Sequence, residues 1–463
     1  MKKFPYKKVH MVGIGGISMS GLAKILMKMD VRVSGSDIKD SEDLHELKKN
    51  GAEIFVGHDT TCLNNDVELV VVTAAVGDDN PEVIKAKKLG LPVWRRSQLI
   101  GFLMRDQIGI CIAGMHGKST TSTIIAELFY LMGEDPTVMV GAVVKSFDSN
   151  SRYGKGDIVV AESCEFNRSF LDFEPTIEVI LNIEEEHLDT YKDLSDIMDS
   201  FEVFGKKVPE KGLLVGCLDD ANVSELFLRL DKIKIGYGFN DRPESFDGVY
   251  WQIVDYHKKD GYSKWKLIID GEKIDIDFTL KLPGEFNVLN ATAALIVADF
   301  LVLDLESCAE KLSTIMGSKR RFDILGEKKG VLVIDDYGHH PTEIVNSIKA
   351  VKDYYPNRKL WAMFWPHQYN RTEQFFDGFV KAFDRVDKLI ILDVYEARVC
   401  DTDKTKYNSK VLSELIEKRG VDVNYIAQEK DALKYIKKNI AKNSVLLTQG
   451  AGPVDNIAKN FLK

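Results

Sequence analysis

The chain has little of what would place it outside a reducing compartment. Its six cysteines, Cys62, Cys111, Cys164, Cys217, Cys308 and Cys400, are scattered through 463 residues without paired spacing. That excludes a disulfide framework and a cysteine-built zinc site, and points to a cytoplasmic protein. Long apolar runs are also missing: no stretch approaches the ~20 residues of a membrane-spanning helix, so no membrane insertion is expected. The opening Met1-Lys-Lys-Phe-Pro-Tyr-Lys-Lys8 imitates a secretory signal, but Gly13, Gly15, Gly16 and Gly21 break the apolar part behind it. No cleavage-like site precedes the strand-like Val31 to Gly35. An excess of positive charge is absent too. The formal net charge of −9 leaves no electrostatic footprint for nucleic acid, although the local cluster Lys319-Arg320-Arg321 could hold phosphate. What remains, 44% hydrophobic and 29% charged, is the composition of a globular chain, long enough for about three domains.

Two glycine-rich turns mark places where such domains would hold anions. The central one, Ile110-Cys-Ile-Ala-Gly-Met-His-Gly-Lys-Ser-Thr-Thr121, reads as apolar strand, glycine turn and helix. Glycines let the backbone curl so that its N–H groups and the helix N-terminus point at an anion. Lys118 would reach terminal phosphates and Ser119 would offer its hydroxyl to magnesium. The P-loop pattern is inexact, with Ile112 where the first glycine is expected and the early glycine at Gly114. The N-terminal turn, Val12-Gly-Ile-Gly-Gly16, follows the strand-like Val9 to Val12 and leads through a helix-like run to the strand-like Val31 to Gly35. Asp37 then stands where an acidic group meets a ribose hydroxyl in a dinucleotide fold. Ser18 replaces the third glycine of that fingerprint, so the ligand is read as diphosphate-containing and not as NAD in particular.

Strand and helix alternate along the whole chain, which predicts an α/β fold with parallel sheets. In the central part Asp157-Ile-Val-Val-Ala-Glu162 ends on a carboxylate that could face magnesium. Beyond the strand Ile177 to Asn182 comes Glu184-Glu-Glu-His-Leu-Asp189. An acidic run alone is a solvated face, but this one follows a strand, which puts His187 and Asp189 on the same rim as Lys118 and Glu162. From Tyr250 to Leu282 the period falls to two, punctuated by Asp260-Gly and Asp270-Gly, the pattern of antiparallel hairpins. Asn287 and Asn290 share one face of the next helix, as structural caps or as ligand contacts. In the last third, polar residues gather behind strands, in Asp335-Asp-Tyr-Gly-His-His-Pro341, Pro366-His-Gln-Tyr-Asn-Arg-Thr372 and Gln449-Gly-Ala-Gly452.

Taken together, these motifs resemble the Mur ligase family over nearly the full length. The elements that carry the resemblance are Val12 to Gly16, Ala113 to Thr120, Glu162 to Leu171, Glu186 to Tyr191, Asn287 with Asn290, Arg320-Arg-Phe322 and Asp335 to Thr342. The resemblance implies three domains: a UDP-sugar-binding Rossmann-like domain over 1–107, a central P-loop ATPase-like α/β domain with added antiparallel strands over 108–318, and a C-terminal Rossmann-like domain for the amino acid over 319–463. It also implies ATP and Mg2+ as cofactors. ATP would phosphorylate the lactyl carboxylate of UDP-N-acetylmuramate, an amino acid amine would attack the acyl phosphate, and ADP and phosphate would leave. The loop Glu186-His-Leu-Asp-Thr-Tyr191 favours L-alanine as that amino acid.

By motif, the resemblance implies ATP contacts from Gly114, His116, Gly117, Lys118, Ser119, Thr120, Asn287, Asn290, Arg321 and Asp336. Ser119, Glu162 and His187 are implied to hold magnesium, and Gly13, Gly15, Gly16, Asp37 and Thr73 to face the UDP portion. Tyr337, His339, His340 and Arg371 would face the amino acid and the acceptor carboxylate. Lys118, Glu162, His187 and His339 would carry the chemistry, His339 as the candidate base if its pKa is tuned near neutrality. The setting implied is cytoplasmic peptidoglycan precursor synthesis by a monomer or weak homodimer.

Departures from the family pattern bear on specificity. Met115 and Ser119 stand in the family's GTHGKTT, Phe286 replaces a histidine, Cys164-Glu165-Phe166 falls in the DES segment, and Glu186 replaces an aspartate. Gln368 occupies a usual arginine position, which removes a charged bidentate fork. ATP use is little affected by these changes, whereas the identity of the amino acid, and even of the acceptor, is. Other readings stay open: a related ligase taking another amino acid or a peptide, as in murein peptide recycling, a nicotinamide-dependent oxidoreductase, and a silent nucleotide-sugar-binding paralogue. The oxidoreductase leaves Lys118 and Glu162 without a role, and intact Lys118, Glu162 and His187 argue against the silent paralogue.

Overall fold

The computed structural model describes residues 4–186, 190–259, 261–396 and 402–463. The architecture is α/β and rests on three sheets. The first has five parallel strands, in spatial order Glu53–Val56, Arg32–Asp37, Lys8–Val12, Leu69–Val72 and Val93–Arg95. Both faces are covered, so its central strands Lys8–Val12 and Leu69–Val72 are buried, with His10 as a polar exception in the first. Val9 and Met11 pack with Leu22, Leu26, Leu44 and Leu47 from the helices Ile17–Lys28 and Glu42–Lys49. Val12 and Val70 pack with Ala86 from Pro81–Lys88 on the other face. The strand order reverses between Lys8–Val12 and Leu69–Val72, the topological switch point at which such sheets hold ligands.

The second sheet has ten strands. Its spatial order is Glu272–Leu280, Tyr262–Ile269, Val249–Lys259, Lys234–Gly238, Leu213–Cys217, Ile177–Ile180, Ile108–Ala113, Ile158–Glu162, Thr137–Val144 and Ser149–Arg152. The centre is parallel and buried, and the far edge turns back through an antiparallel pair. The strands of period two form the other edge, where Asp270 (φ 51) and Gly271 (φ 91) supply the two left-handed residues of a two-residue hairpin turn. Asp260, expected at the other turn, lies outside the described residues. Helix Ile17–Lys28 packs on Ser149–Arg152 so closely that a Cβ on Gly21 would stand 2.9 Å from Ser151 Cβ.

The third sheet runs Asp323–Lys328, Val331–Asp336, Ser444–Gln449, Lys359–Phe364, Lys388–Ile391 and Val423–Tyr425. Its first pair is antiparallel and the rest are parallel. Apolar cores lie on both faces, one including Ile334, Ile344 and Leu447, the other Val333, Leu446 and Ile457. The chain divides into two compact units. The first is Met1–Asp255 with Trp265–Phe278 and Leu289–Ile315, and the second is Tyr256–Lys264 with Thr279–Val288 and Met316–Lys463. Among the described residues no helix is long and apolar enough to cross a membrane.

Candidate functional site

In the first unit the buried strand Ile108–Ala113 delivers its glycine turn to the carboxyl rim of the ten-stranded sheet. Gly114 (φ 131) and Gly117 (φ 85) take conformations that L side chains rarely adopt. A Cβ on Gly117 would also stand 2.9 Å from Asn290 Oδ1 and 3.1 Å from Leu181 Cδ1. Gly117→Ala is therefore expected to cost roughly 1–3 kcal/mol of stability; a melting curve superposable on the parent's would mean that the loop relaxes freely. Asn182, just past the neighbouring strand, braces the turn: its Oδ1 accepts from His116 N at 2.8 Å and its Nδ2 donates to His116 O at 3.0 Å.

Gly117 hands over to the helix Lys118–Leu131. Lys118 Nζ donates to the carbonyls of Gly114 and Met115 and pairs with the buried Glu165 carboxylate at 2.9 Å. Burial disfavours the ammonium, but Glu165 outweighs it and holds the Lys118 pKa above the ordinary lysine value. Ser119 Oγ donates to Glu162 Oε2 at 2.9 Å, and the same oxygen accepts Gly141 N–H at 2.7 Å. His116 Nε2 lies 3.6 Å from Glu184, and Thr120 continues the first helical turn. The unit thus brings Gly114, His116, Gly117, Lys118, Ser119, Thr120, Glu162 and Asn290 to one rim. His187 lies outside the described residues. The pairing of Glu165 with Lys118 is a feature that sequence reasoning missed; the available signal was a second acid three residues past Glu162.

The N-terminal turn gathers its own set. Gly13 (φ 79) sits so close to Thr73 that a Cβ would stand 2.5 Å from Thr73 Cγ2. Gly13 N and Ile14 N donate to Ser36 O at 2.8 and 3.0 Å, and Gly15 N donates to Asp37 Oδ2 at 2.9 Å. Gly16 caps the helix Ile17–Lys28. Gly13, Gly15, Gly16, Asp37 and Thr73 therefore meet at the switch point of the first sheet.

In the second unit the strand Val331–Asp336 ends in two acids on opposite faces. Asp335 accepts from Thr448 Oγ1 and from Arg320 Nε at 3.1 Å; burial pushes its carboxyl up to about 6 against the pull of Arg320. Asp336 accepts from the backbone N–H of Phe322 and of Gly338, both at 2.8 Å, and burial raises its pKa as well. The guanidinium groups of Arg320 and Arg321 lie 5.0 and 4.9 Å from the Tyr337 ring centre, within cation–π range.

His339 packs edge-on against Tyr337 and donates from Nδ1 to its carbonyl at 3.1 Å. Burial, with Arg371 and Arg321 adding and Glu343 opposing, takes the His339 pKa down to about 3. The ring is neutral at physiological pH and far from the near-neutral base expected from sequence, because that expectation did not include its burial. His340 caps the helix Pro341–Tyr354, with Nδ1 accepting from Thr342 N at 3.3 Å and Glu343 Oε2 accepting its N–H at 3.2 Å. Glu343 was also missed, although its place three residues after a cap is the capping-box signal.

Arg371 stands in the short helix Tyr369–Gln374 behind Gln368. Gln368 is held at φ 69, ψ 134, where a non-glycine residue stores roughly 1–3 kcal/mol of strain. Asn287 is buried and donates from Nδ2 to Pro283 O at 2.7 Å, one turn before Asn290 in the helix Glu285–Phe300.

Comparison with known proteins accounts for this arrangement. Three family models match in succession: "Mur ligase family, catalytic domain" over residues 8–108, "Mur ligase middle domain" over 112–298 and "Mur ligase, glutamate ligase domain" over 320–452. The UDP-N-acetylmuramate–L-alanine ligase of Caldanaerobacter subterraneus subsp. tengcongensis is 41% identical over 461 residues, covering 99% of this chain and 98% of its own. That of Acetivibrio thermocellus is 38% identical, covering 99% and 96%. Among solved structures, the UDP-N-acetylmuramate-alanine ligase of Thermotoga maritima superposes with a TM-score of 0.81 at 27% identity over 98% of both chains. A murein peptide ligase from Psychrobacter arcticus shares the fold, with a TM-score of 0.68 at 20% identity over 98% of both chains. With three of the family's models matched in order along the sequence, and a relative 41% identical over 99% of this chain, the chain belongs to the Mur ligase family.

Proposed function

We propose that the chain is an ATP-dependent, ADP-forming ligase that joins L-alanine to UDP-N-acetylmuramate in peptidoglycan precursor synthesis. The observation that carries the reading is full-length similarity, at 41% and 38% identity, to ligases of that name. The phosphate loop supports it, because the oxidoreductase alternative leaves the buried Lys118–Glu165 pair and the ten-stranded sheet unexplained. The peptide-ligase alternative has in its favour a likeness of fold at 20% identity.

The division of labour we infer follows the three sheets, with domains over 1–107, 108–318 and 319–463. Gly13, Gly15, Gly16, Asp37 and Thr73 take the UDP portion. Gly114 to Thr120 and Asn290 take the phosphates of ATP, and Asn287, Arg321 and Asp336 take the rest of the nucleotide. The Ser119 hydroxyl and the Glu162 carboxylate are hard oxygen donors already 2.9 Å apart, a set that suits Mg2+, with His187 as a further candidate. The ion would neutralise charge on the transferring phosphoryl group.

Lys118 supplies a fixed positive charge to the same phosphates while a lactyl carboxylate oxygen attacks the terminal phosphorus and ADP leaves. Tyr337, His340 and Arg371 orient the amine that then displaces phosphate from the acyl carbon. His339 is a weak base in this environment, and its Nδ1–H bond to Tyr337 O fixes the ring for orientation more than for proton removal. The reading includes a cytoplasmic location and a monomer or weak homodimer. Its test is incubation with ATP, Mg2+ and UDP-N-acetylmuramate, offering L-alanine, glycine, L-serine and a tripeptide separately, with ADP and product mass measured. ADP and the matching product mass are expected with L-alanine well above the others; no ADP above background with any amine would sink the proposal.

A further inference from the structure

Under the N-terminal glycine turn lies a cluster of polar side chains that the ligase reading leaves without a task. His10, in the strand Lys8–Val12, and Glu82, in the first turn of the helix Pro81–Lys88, are both fully buried, with His10 Nε2 2.6 Å from Glu82 Oε2. The other ring nitrogen of His10 meets Ser34 Oγ at 2.9 Å. Ser36 Oγ lies 2.8 and 2.9 Å from the two Glu82 oxygens. His58 Nδ1 lies 2.8 Å from Glu82 Oε1 and 2.9 Å from Ser36 Oγ.

An ionised carboxylate can only accept, so His10 Nε2–H, His58 Nδ1–H and Ser36 O–H all donate to Glu82. Burial raises the Glu82 pKa, and these bonds, led by that from His10, bring it below the usual carboxylate value. A buried charge is costly unless its bonds are filled, and a filled network fixes one arrangement of the elements that contribute to it.

Three of those elements border the glycine turn. Ser36 not only bonds Glu82 by its side chain; its carbonyl takes the N–H groups of both Gly13 and Ile14. The next residue, Asp37, takes the N–H of Gly15. On the other side of the switch point, the helix bearing Glu82 is capped by Asn80 and follows the Thr73 turn against which Gly13 packs. Glu82 is thus the common tie between the end of the strand Arg32–Asp37 and the segment after Leu69–Val72, the two walls of the cleft.

We propose that Glu82, acting through Ser36, is a positioning residue for nucleotide-sugar binding, holding the end of the strand Arg32–Asp37 where the Gly13–Gly16 turn closes on a diphosphate. The inference rests on the reading that this turn takes the UDP portion of the acceptor. In the full-length protein, Glu82→Ala is expected to raise the KM for UDP-N-acetylmuramate about tenfold or more, by misplacing the turn, while the KM values for ATP and L-alanine stay within about twofold. Glu82→Gln keeps one acceptor and its effect falls between. Should Glu82→Ala fail to fold, Ser36→Ala removes a single hydroxyl, leaves the His10–Glu82 pair and carries the same prediction.

Calorimetric titration of the unaltered protein with UDP-N-acetylmuramate comes first. Absence of binding there overturns the reading of the turn and the role of Glu82 with it. With binding intact, an unchanged UDP-N-acetylmuramate KM in the alanine variants overturns the role alone. So does an equal rise for all three substrates alongside a lower melting temperature, since the cluster would then only hold the sheet together.

Discussion

Lys118→Ala is expected to lower ADP-forming turnover on the order of 10³-fold, because the charge that builds on a transferring phosphoryl group loses its fixed cation. The same substitution has a second consequence that would confuse the first. Glu165 is fully buried with Lys118 opposite it at 2.9 Å, so removing the lysine takes one cation away from a buried carboxylate, at about 3–5 kcal/mol. A dead enzyme would then be indistinguishable from an unfolded one by activity alone. The double variant Lys118→Ala/Glu165→Gln separates the two, since it deletes both charges and is expected to regain most of the lost stability while turnover stays low. Melting temperature and ADP release, measured on parent, single and double variants, check this. A double variant that recovers turnover would remove Lys118 from the chemistry, and a single variant that melts like the parent would mean that Glu165 does not depend on it. UDP-N-acetylmuramate should bind all three alike, because the turn proposed to hold it belongs to a different sheet.

What was legible in the sequence was whatever is written locally. The run from Ile110 to Thr121 carries its strand, its two glycines and its helix in consecutive residues, and the helix begins at Lys118, one residue before the Ser119 that the pattern suggests. Pro341 as the first residue of a helix and Asp270-Gly271 as a hairpin turn were readable for the same reason. Asp37 beside the glycine turn followed from the strand-turn-helix-strand order alone. The partners that hold these groups were not readable. Glu165 stands 47 residues from Lys118, and Glu82 stands 72 from His10; both meetings depend on strand order, which no short window encodes. Gln368 looked like the loss of a guanidinium, whereas the structure adds a strained backbone at that position, a consequence of how the loop is tied to Tyr395 and Thr372. The low pKa of His339 likewise comes from burial and the arginines near it, and its neighbours in the sequence carry no hint of that.

Arg320→Ala is expected to destabilise the protein by about 3–5 kcal/mol at about pH 8 and by much less at about pH 5. Its guanidinium does four things: Nε donates to the buried Asp335 at 3.1 Å and lies 3.9 Å from Asp455 Oδ1, Nη2 donates to the carbonyls of Gly450 and Gly452 at 2.7 and 2.8 Å, and the group lies against the Tyr337 ring. The carbonyl bonds are lost at any pH, at about 1 kcal/mol each. The pH dependence comes from Asp335. Its carboxyl stands at about 6 in the folded chain against an ordinary 3.8, so the folded state prefers the neutral acid. Its contribution to stability is greatest below the ordinary value, falls as pH rises from about 4 to about 6, and is constant above. Arg320 is the cation that keeps this rise small. Without it the carboxyl moves further up, the window of falling stability extends past 6, and the deficit of the variant widens across the same range. Urea unfolding followed by the fluorescence of Trp361 and Trp365, both in the second unit, measures the deficit at each pH. A deficit equal at the two pH values would mean that the Asp335 carboxyl does not depend on Arg320. Asp335→Asn in the Arg320→Ala background removes the buried titrating group, and is expected to abolish most of the pH dependence while leaving the carbonyl loss in place.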